Sequence, residues 1–144
     1  MTDNIIFQKI WQDEGLIELK ITAIGEYARA YQNCYVEKLF LEGLAGEFQK
    51  YMSHYDKEYY IEFGKKEGNF TPSFSMEFLP ADYHGHVKIE VDVEIADNDS
   101  RAHRCLFYIN SELGTIEELG KSLSQLPDKE PGAMCALYNE SNCF

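Results

Sequence analysis

His84-Gly85-His86 has the HxH spacing that lets two imidazoles chelate a metal from one strand face. A third ligand is required, and His103, Glu77 and Glu90 are the candidates. Asp97-Asn98-Asp99 resembles a fragment of a calcium loop, but the downstream glycine and closing glutamate of that loop are missing. A solvated turn is the plainer reading. Glu90, Asp92 and Glu94 could supply paired carboxylates for acid–base work. Such work needs an enclosure that raises one pKa, and alternate residues on a wet strand are solvated. Cys34 and Cys105 sit among apolar residues and read as core thiols rather than nucleophiles. Gly64 to Gly68 lacks the Lys-Ser/Thr pair and following helix of a phosphate loop. No catalytic residue, no cofactor and no metal ligand is assigned, and the chain is expected not to be an enzyme.

The element that must position the acidic row is the stretch Val87-Lys88-Ile89-Glu90-Val91-Asp92-Val93-Glu94-Ile95. Its odd positions are all Val or Ile and its even positions are all charged. A period of two with β-branched residues on one side predicts a strand with one dry and one wet face. Arg104 to Asn110 returns beside it, and apolar odd residues must meet apolar odd residues across the pair. Glu94 then faces Arg104, Glu90 faces Tyr108, and His103 lies beside Ile95. That register puts His103 at the far end of the strand from His86, some eight residues away at ~3.3 Å each. It takes no part in the HxH.

The remaining pattern completes an α+β fold. Ile5 to Gln12 and Leu16 to Ile24 read as an N-terminal hairpin, and Tyr31 to Val36 as a further short extended piece. Residues 37–54 carry an apolar stripe through Phe40, Leu44 and Phe48, the period of an amphipathic helix. Gly43 and Gly46 in that stretch would let it approach a sheet closely. Glu58 to Phe63 and Ser73 to Leu79 alternate as strands. Residues 115–126 form a second helix, with Thr115 and Glu118 as its capping box and Pro127 as its stop. The expectation is an antiparallel sheet of about six strands with two helices packed on one face. The domain spans residues 1–126. Residues 127–144 form a linker and a tail, either loose or strapped across the surface, with Cys135 and Cys143 given no role.

The formal net charge is −12, which argues against a nucleic-acid or anionic-membrane surface and suits a basic protein partner. The first residues, Met1-Thr2-Asp3-Asn4, lack the basic start and apolar run of a signal peptide. No apolar run approaches the ~20 residues that span a bilayer, so a cytoplasmic chain with free thiols is expected.

One resemblance goes further. Cys34-Tyr35-Val36-Glu37-Lys38-Leu39-Phe40-Leu41-Glu42-Gly43-Leu44 opens a helix after the N-terminal hairpin. Phe70-Thr71-Pro72-Ser73-Phe74-Ser75-Met76-Glu77-Phe78, the long strand, and Leu106-Phe107-Tyr108-Ile109 before a Leu-rich helix follow in order. From Ile5 to Leu126 this pattern resembles the WapI-type immunity proteins, small bacterial α+β proteins that neutralise a contact-dependent toxin. The resemblance implies a protein that occludes a basic cognate toxin, plausibly a nuclease. Strand parity then offers Glu77, Glu90, Asp92 and Glu94 as partner-binding residues. The acidic loops around Asp82 and Asp97–Asp99 are the rival surface. The alternative function is a small-ligand-binding or regulatory domain with a pocket under the tyrosines that end the first helix.

Overall fold

A computed structural model describes residues 3–64, 73–95, 100–101 and 103–138. The loop from Lys65 to Asn69, Phe70-Thr71-Pro72, the Asp97–Asp99 turn and Cys143 lie outside the described residues. The chain is α+β, and its strands fall into two antiparallel sheets of four rather than one of about six.

The first sheet is built from β1 (Asn4–Gln12), β2 (Leu16–Ile24) and β3 (Arg29–Glu37), with a late strand, β8 (Met134–Ala136), added beside β1. β3 is a full nine-residue strand. Its alternation is disguised in the sequence because Tyr31 and Tyr35 stand on the exposed side while polar Gln32 shares the inner side with Ala30, Cys34 and Val36. The stretch after Pro127 is not a separate linker. It passes through a 3-10 turn (Leu126–Asp128) into β8, and Leu126 and Leu137 join the core.

The second sheet has the sequential order β4 (Tyr59–Phe63), β5 (Ser73–Phe78), β6 (His86–Ile95) and β7 (His103–Glu112). Val87, Ile89, Val91 and Val93 are buried, as the parity of β6 requires. The expected register holds: Glu94 pairs with Arg104, Glu90 with Tyr108 and Ile95 with His103.

The dry face of the second sheet is covered from two sides. Phe7 of β1 lies 5.3 Å from Phe63 and 6.4 Å from Phe74, between ring centroids, so the first sheet closes one part. Helices close the other. The expected 37–54 helix is two, α1 (Lys38–Glu42) and α2 (Leu44–Ser53), broken at Gly43. α3 (Leu113–Gln125) begins two residues before Thr115. Its N-cap is Glu112, without a side-chain cap, so the Thr115–Glu118 capping box does not form. Gly43 and Gly46 are exposed and make no close approach to the sheet. The close approach is at Gly120 of α3, where an added Cβ would stand 2.8 Å from the Phe48 ring.

Candidate partner-binding face

The outer face of the second sheet is assembled by parity. Because the odd residues of β6 are drawn inward by burial, Lys88, Glu90, Asp92 and Glu94 must point out. The neighbouring registers continue each position into a row across the sheet. Tyr60, Glu77, Glu90 and Tyr108 form one row, and Glu62, Ser75, Asp92 and Leu106 the next. Ser73, Glu94 and Arg104 form a third. All four residues expected from the sequence, Glu77, Glu90, Asp92 and Glu94, therefore share one face. Glu62 joins them, and Tyr60, Leu106 and Tyr108 add exposed apolar surface between the carboxylates.

The four differ in what they can offer a partner. Glu77 and Glu90 are direct cross-strand neighbours. Glu90 accepts a hydrogen bond from the Tyr108 hydroxyl at 3.2 Å, and its charge is the first cause that raises the Tyr108 pKa. Asp92 is not solvent-facing as parity alone implies: the residue is only 8% exposed. Its Oδ2 takes Arg104 Nη1 at 3.3 Å. The same guanidinium reaches Glu94 Oε2 at 3.4 Å, and the Ser73 hydroxyl donates to that oxygen at 3.1 Å. Glu94 is thus partly neutralised, as the register anticipates, and Asp92 shares the cation. Among the described residues, Glu62, Glu77, Glu90, Asp92 and Glu94 outnumber Lys88 and Arg104 on this face.

Other chemical candidates separate into structural roles. Asp82 Oδ1 accepts the backbone N–H groups of His84 and His86 at 2.9 Å each, while its Oδ2 meets His86 Nδ1 at 3.1 Å. These bonds fold the turn that sets Gly85 at φ +83° before β6. They also hold the Asp82 carboxyl below the usual carboxylate range, the backbone N–H of His86 first among the causes. His103 is exposed at the opposite end of β6, with Nδ1 2.7 Å from the Arg101 carbonyl oxygen. Among the described residues no three His, Cys, Asp or Glu side chains converge on a metal-sized site. Burial pushes the Cys34 and Cys135 thiols up to about 12, which keeps both protonated at neutral pH.

Of the tyrosines that end the helix, Tyr51 and Tyr59 pack inward, while Tyr55 and Tyr60 are exposed. Tyr51 donates to the Leu79 carbonyl at 2.7 Å, and Phe48, Tyr51 and Tyr59 pack on Phe78 with centroids 5.1, 5.2 and 6.1 Å away.

One buried polar group was missed by the sequence reading. Lys9 shares the inward parity of Ile5 and Phe7 and is buried with them. Its ammonium donates to the Pro127 and Lys129 carbonyls at 2.9 and 2.6 Å. That parity was the available signal. The contact ties the 3-10 turn after α3 to the first sheet.

Among the described residues no helix is long and apolar enough to cross a membrane. Comparison of the chain with protein-family models, with curated proteins and with solved structures gives no match.

Proposed function

We propose that this chain is an immunity-type binding protein that neutralises a basic bacterial toxin by covering it, acting in the cytoplasm without chemistry of its own. The observation that supports the reading most is the facing pair Glu77 and Glu90, flanked by Tyr60 and Tyr108. Carboxylates gathered on one sheet face attract the cations of a basic partner. Half-exposed tyrosines beside them supply the rigid, amphipathic contact area that enriches protein interfaces. An acidic sheet face of this kind also mimics the charge of nucleic acid, so it would both steer a nuclease toward the chain and block its groove.

The test has two stages. The immobilised chain and a Glu77→Lys/Glu90→Lys variant are offered a lysate of the source cell, and proteins held only by the unaltered face are identified. Each is then expressed in a sensitive host with and without the chain. Growth arrest that the chain relieves is the expected result. A captured protein that is harmless alone, or whose toxicity the chain leaves unchanged, overturns the reading.

A further inference from the structure

Among the described residues, the edge of the second sheet that borders this face has no further strand beside it. Among the described residues β7 has β6 as its one strand neighbour and runs ten residues without a register shift. Leu113 N–H bonds back to the Gly85 carbonyl, so odd residues of β7 point their backbone groups at β6. Backbone groups alternate sides along a strand. The N–H and C=O groups of Arg104, Leu106 and Tyr108 therefore point away from the sheet. The Asn110 N–H points the same way, and the Asp3 carboxylate accepts it at 3.0 Å, where a further strand would place its acceptor. Natural sheets usually protect such edges with proline, lysine or a bulge. β7 has none of these, and its open side carries Leu106 and Tyr108, 52% and 48% exposed.

A trough of about 470 Å³ runs along this edge, lined by Leu106, Phe107 and Tyr108 of β7, by Lys88 of β6, and by Asp3, Glu26 and Tyr27. Its lining is mixed: the carboxylates Asp3 and Glu26 outnumber the one cation, Lys88, whose ammonium lies 5.8 Å from the Tyr108 ring centroid. The single cation of the edge strand, Arg104, is turned onto Asp92 and Glu94.

We infer that β7 takes up an extended segment of a basic partner protein as a fifth strand of the second sheet. Its backbone pairs with Arg104, Leu106 and Tyr108, and alternate Lys or Arg side chains meet Asp3 and Glu26. A second copy of the chain is the poorer occupant, because two molecules of net charge −12 repel. The inference deepens the proposed function by giving the mode of capture, strand addition, in which main-chain bonds give affinity and alternate side chains give selectivity.

The experiment uses the full chain and the synthetic peptide acetyl-Lys-Val-Lys-Thr-Lys-Val-Lys-amide. Two further versions are N-methylated, one on the odd and one on the even residues. All three have the same charge and side chains, but in an added strand only one set of N–H groups faces β7. The expected result is that one methylated peptide binds like the parent and the other about tenfold or more weaker. Bound parent peptide should slow hydrogen exchange at the amides of Arg104, Leu106 and Tyr108. Equal affinity of the two methylated peptides, retained or lost alike, overturns strand addition, as does failure of the parent to bind. Concentration-dependent dimerisation that Leu106→Pro abolishes also overturns it, in favour of a second copy. If Leu106→Pro folds and still relieves toxicity in the host, strand addition fails while the immunity reading stands.

Discussion

Asp92 and Glu90 are two residues apart on the same strand face, yet their substitution should differ in consequence. Asp92 is nearly enclosed and shares the Arg104 guanidinium with Glu94, so Asp92→Lys buries a cation beside another cation. Urea unfolding should register a loss of about 1–3 kcal/mol, the cost of leaving a buried polar pair unmade. Glu90 is more accessible, and Glu90→Lys should leave the urea midpoint nearly unchanged. Lys9 is the second residue whose environment decides its effect. Lys9→Met keeps the buried stem but leaves the Pro127 and Lys129 carbonyls without their donor. A loss of about 1–3 kcal/mol is expected, with faster hydrogen exchange first at Gly132 and Leu137, whose N–H groups bond to β1. Parity read from sequence identifies which way each of these side chains points. It does not say how enclosed each position is, and Asp92 is enclosed although its parity points it outward.

At the scale of elements, the packing of α2 on α3 turns on one glycine. Gly120→Ala should destabilise, because the new Cβ meets Phe48 at 2.8–3.0 Å, and overpacking costs about 1–3 kcal/mol. Gly46→Ala should instead stabilise by up to about 1 kcal/mol, since nothing lies within 4 Å and alanine is the better helix former. Thermal unfolding of the two variants should shift in opposite directions. The sequence locates glycines and strands well but not which elements meet. The Val/Ile alternation of β6 and the β6–β7 register were legible because each rests on contacts within one hairpin. The division into two sheets was not, because it depends on which strand edges remain apart, and on β8 returning to β1 after more than a hundred residues. β3 was legible only as a short piece, since its aromatics face outward. That Glu77, Glu90, Asp92 and Glu94 share one parity was legible, though not the enclosure of Asp92 nor the part of Glu62, and the edge position of β7 was not, because nothing in β7's own composition says that it is last in its sheet.

For the whole molecule, two pH- and salt-dependent behaviours follow from where its charges and protons lie. Cys34 and Cys135, ordinarily near 9.0, and Tyr51 and Tyr59, ordinarily near 10.0, are all pushed up to about 12 by burial. Between those limits the native state keeps protons that the unfolded chain releases, so stability falls as pH rises from about 9 toward 12. Lys9 acts in the opposite sense, because burial lowers its pKa below 10.5 and the native state sheds that proton first. Among the described residues, five raised groups, Tyr108 included through the Glu90 charge, stand against Lys9 and predict a net alkaline loss, and urea midpoints measured from pH 7 to 11 should decline above pH 9. The second behaviour concerns association with the partner. With a net charge of −12 and the Glu77–Glu90 pair on an open face, encounter with a basic protein is steered from a distance. Ions screen that attraction over ~8–10 Å at ordinary ionic strength. Under the proposed function, the association rate of a captured basic protein should therefore fall about tenfold or more between low and high salt, while the dissociation rate changes little. Glu77→Lys/Glu90→Lys should lower the rate at low salt toward the high-salt value and flatten the salt dependence. Stopped-flow mixing across a salt series measures both. A folded double variant that associates as fast as the unaltered chain would remove this face from the encounter and leave the trough along β7, with Asp3 and Glu26, as the remaining acidic surface to reverse.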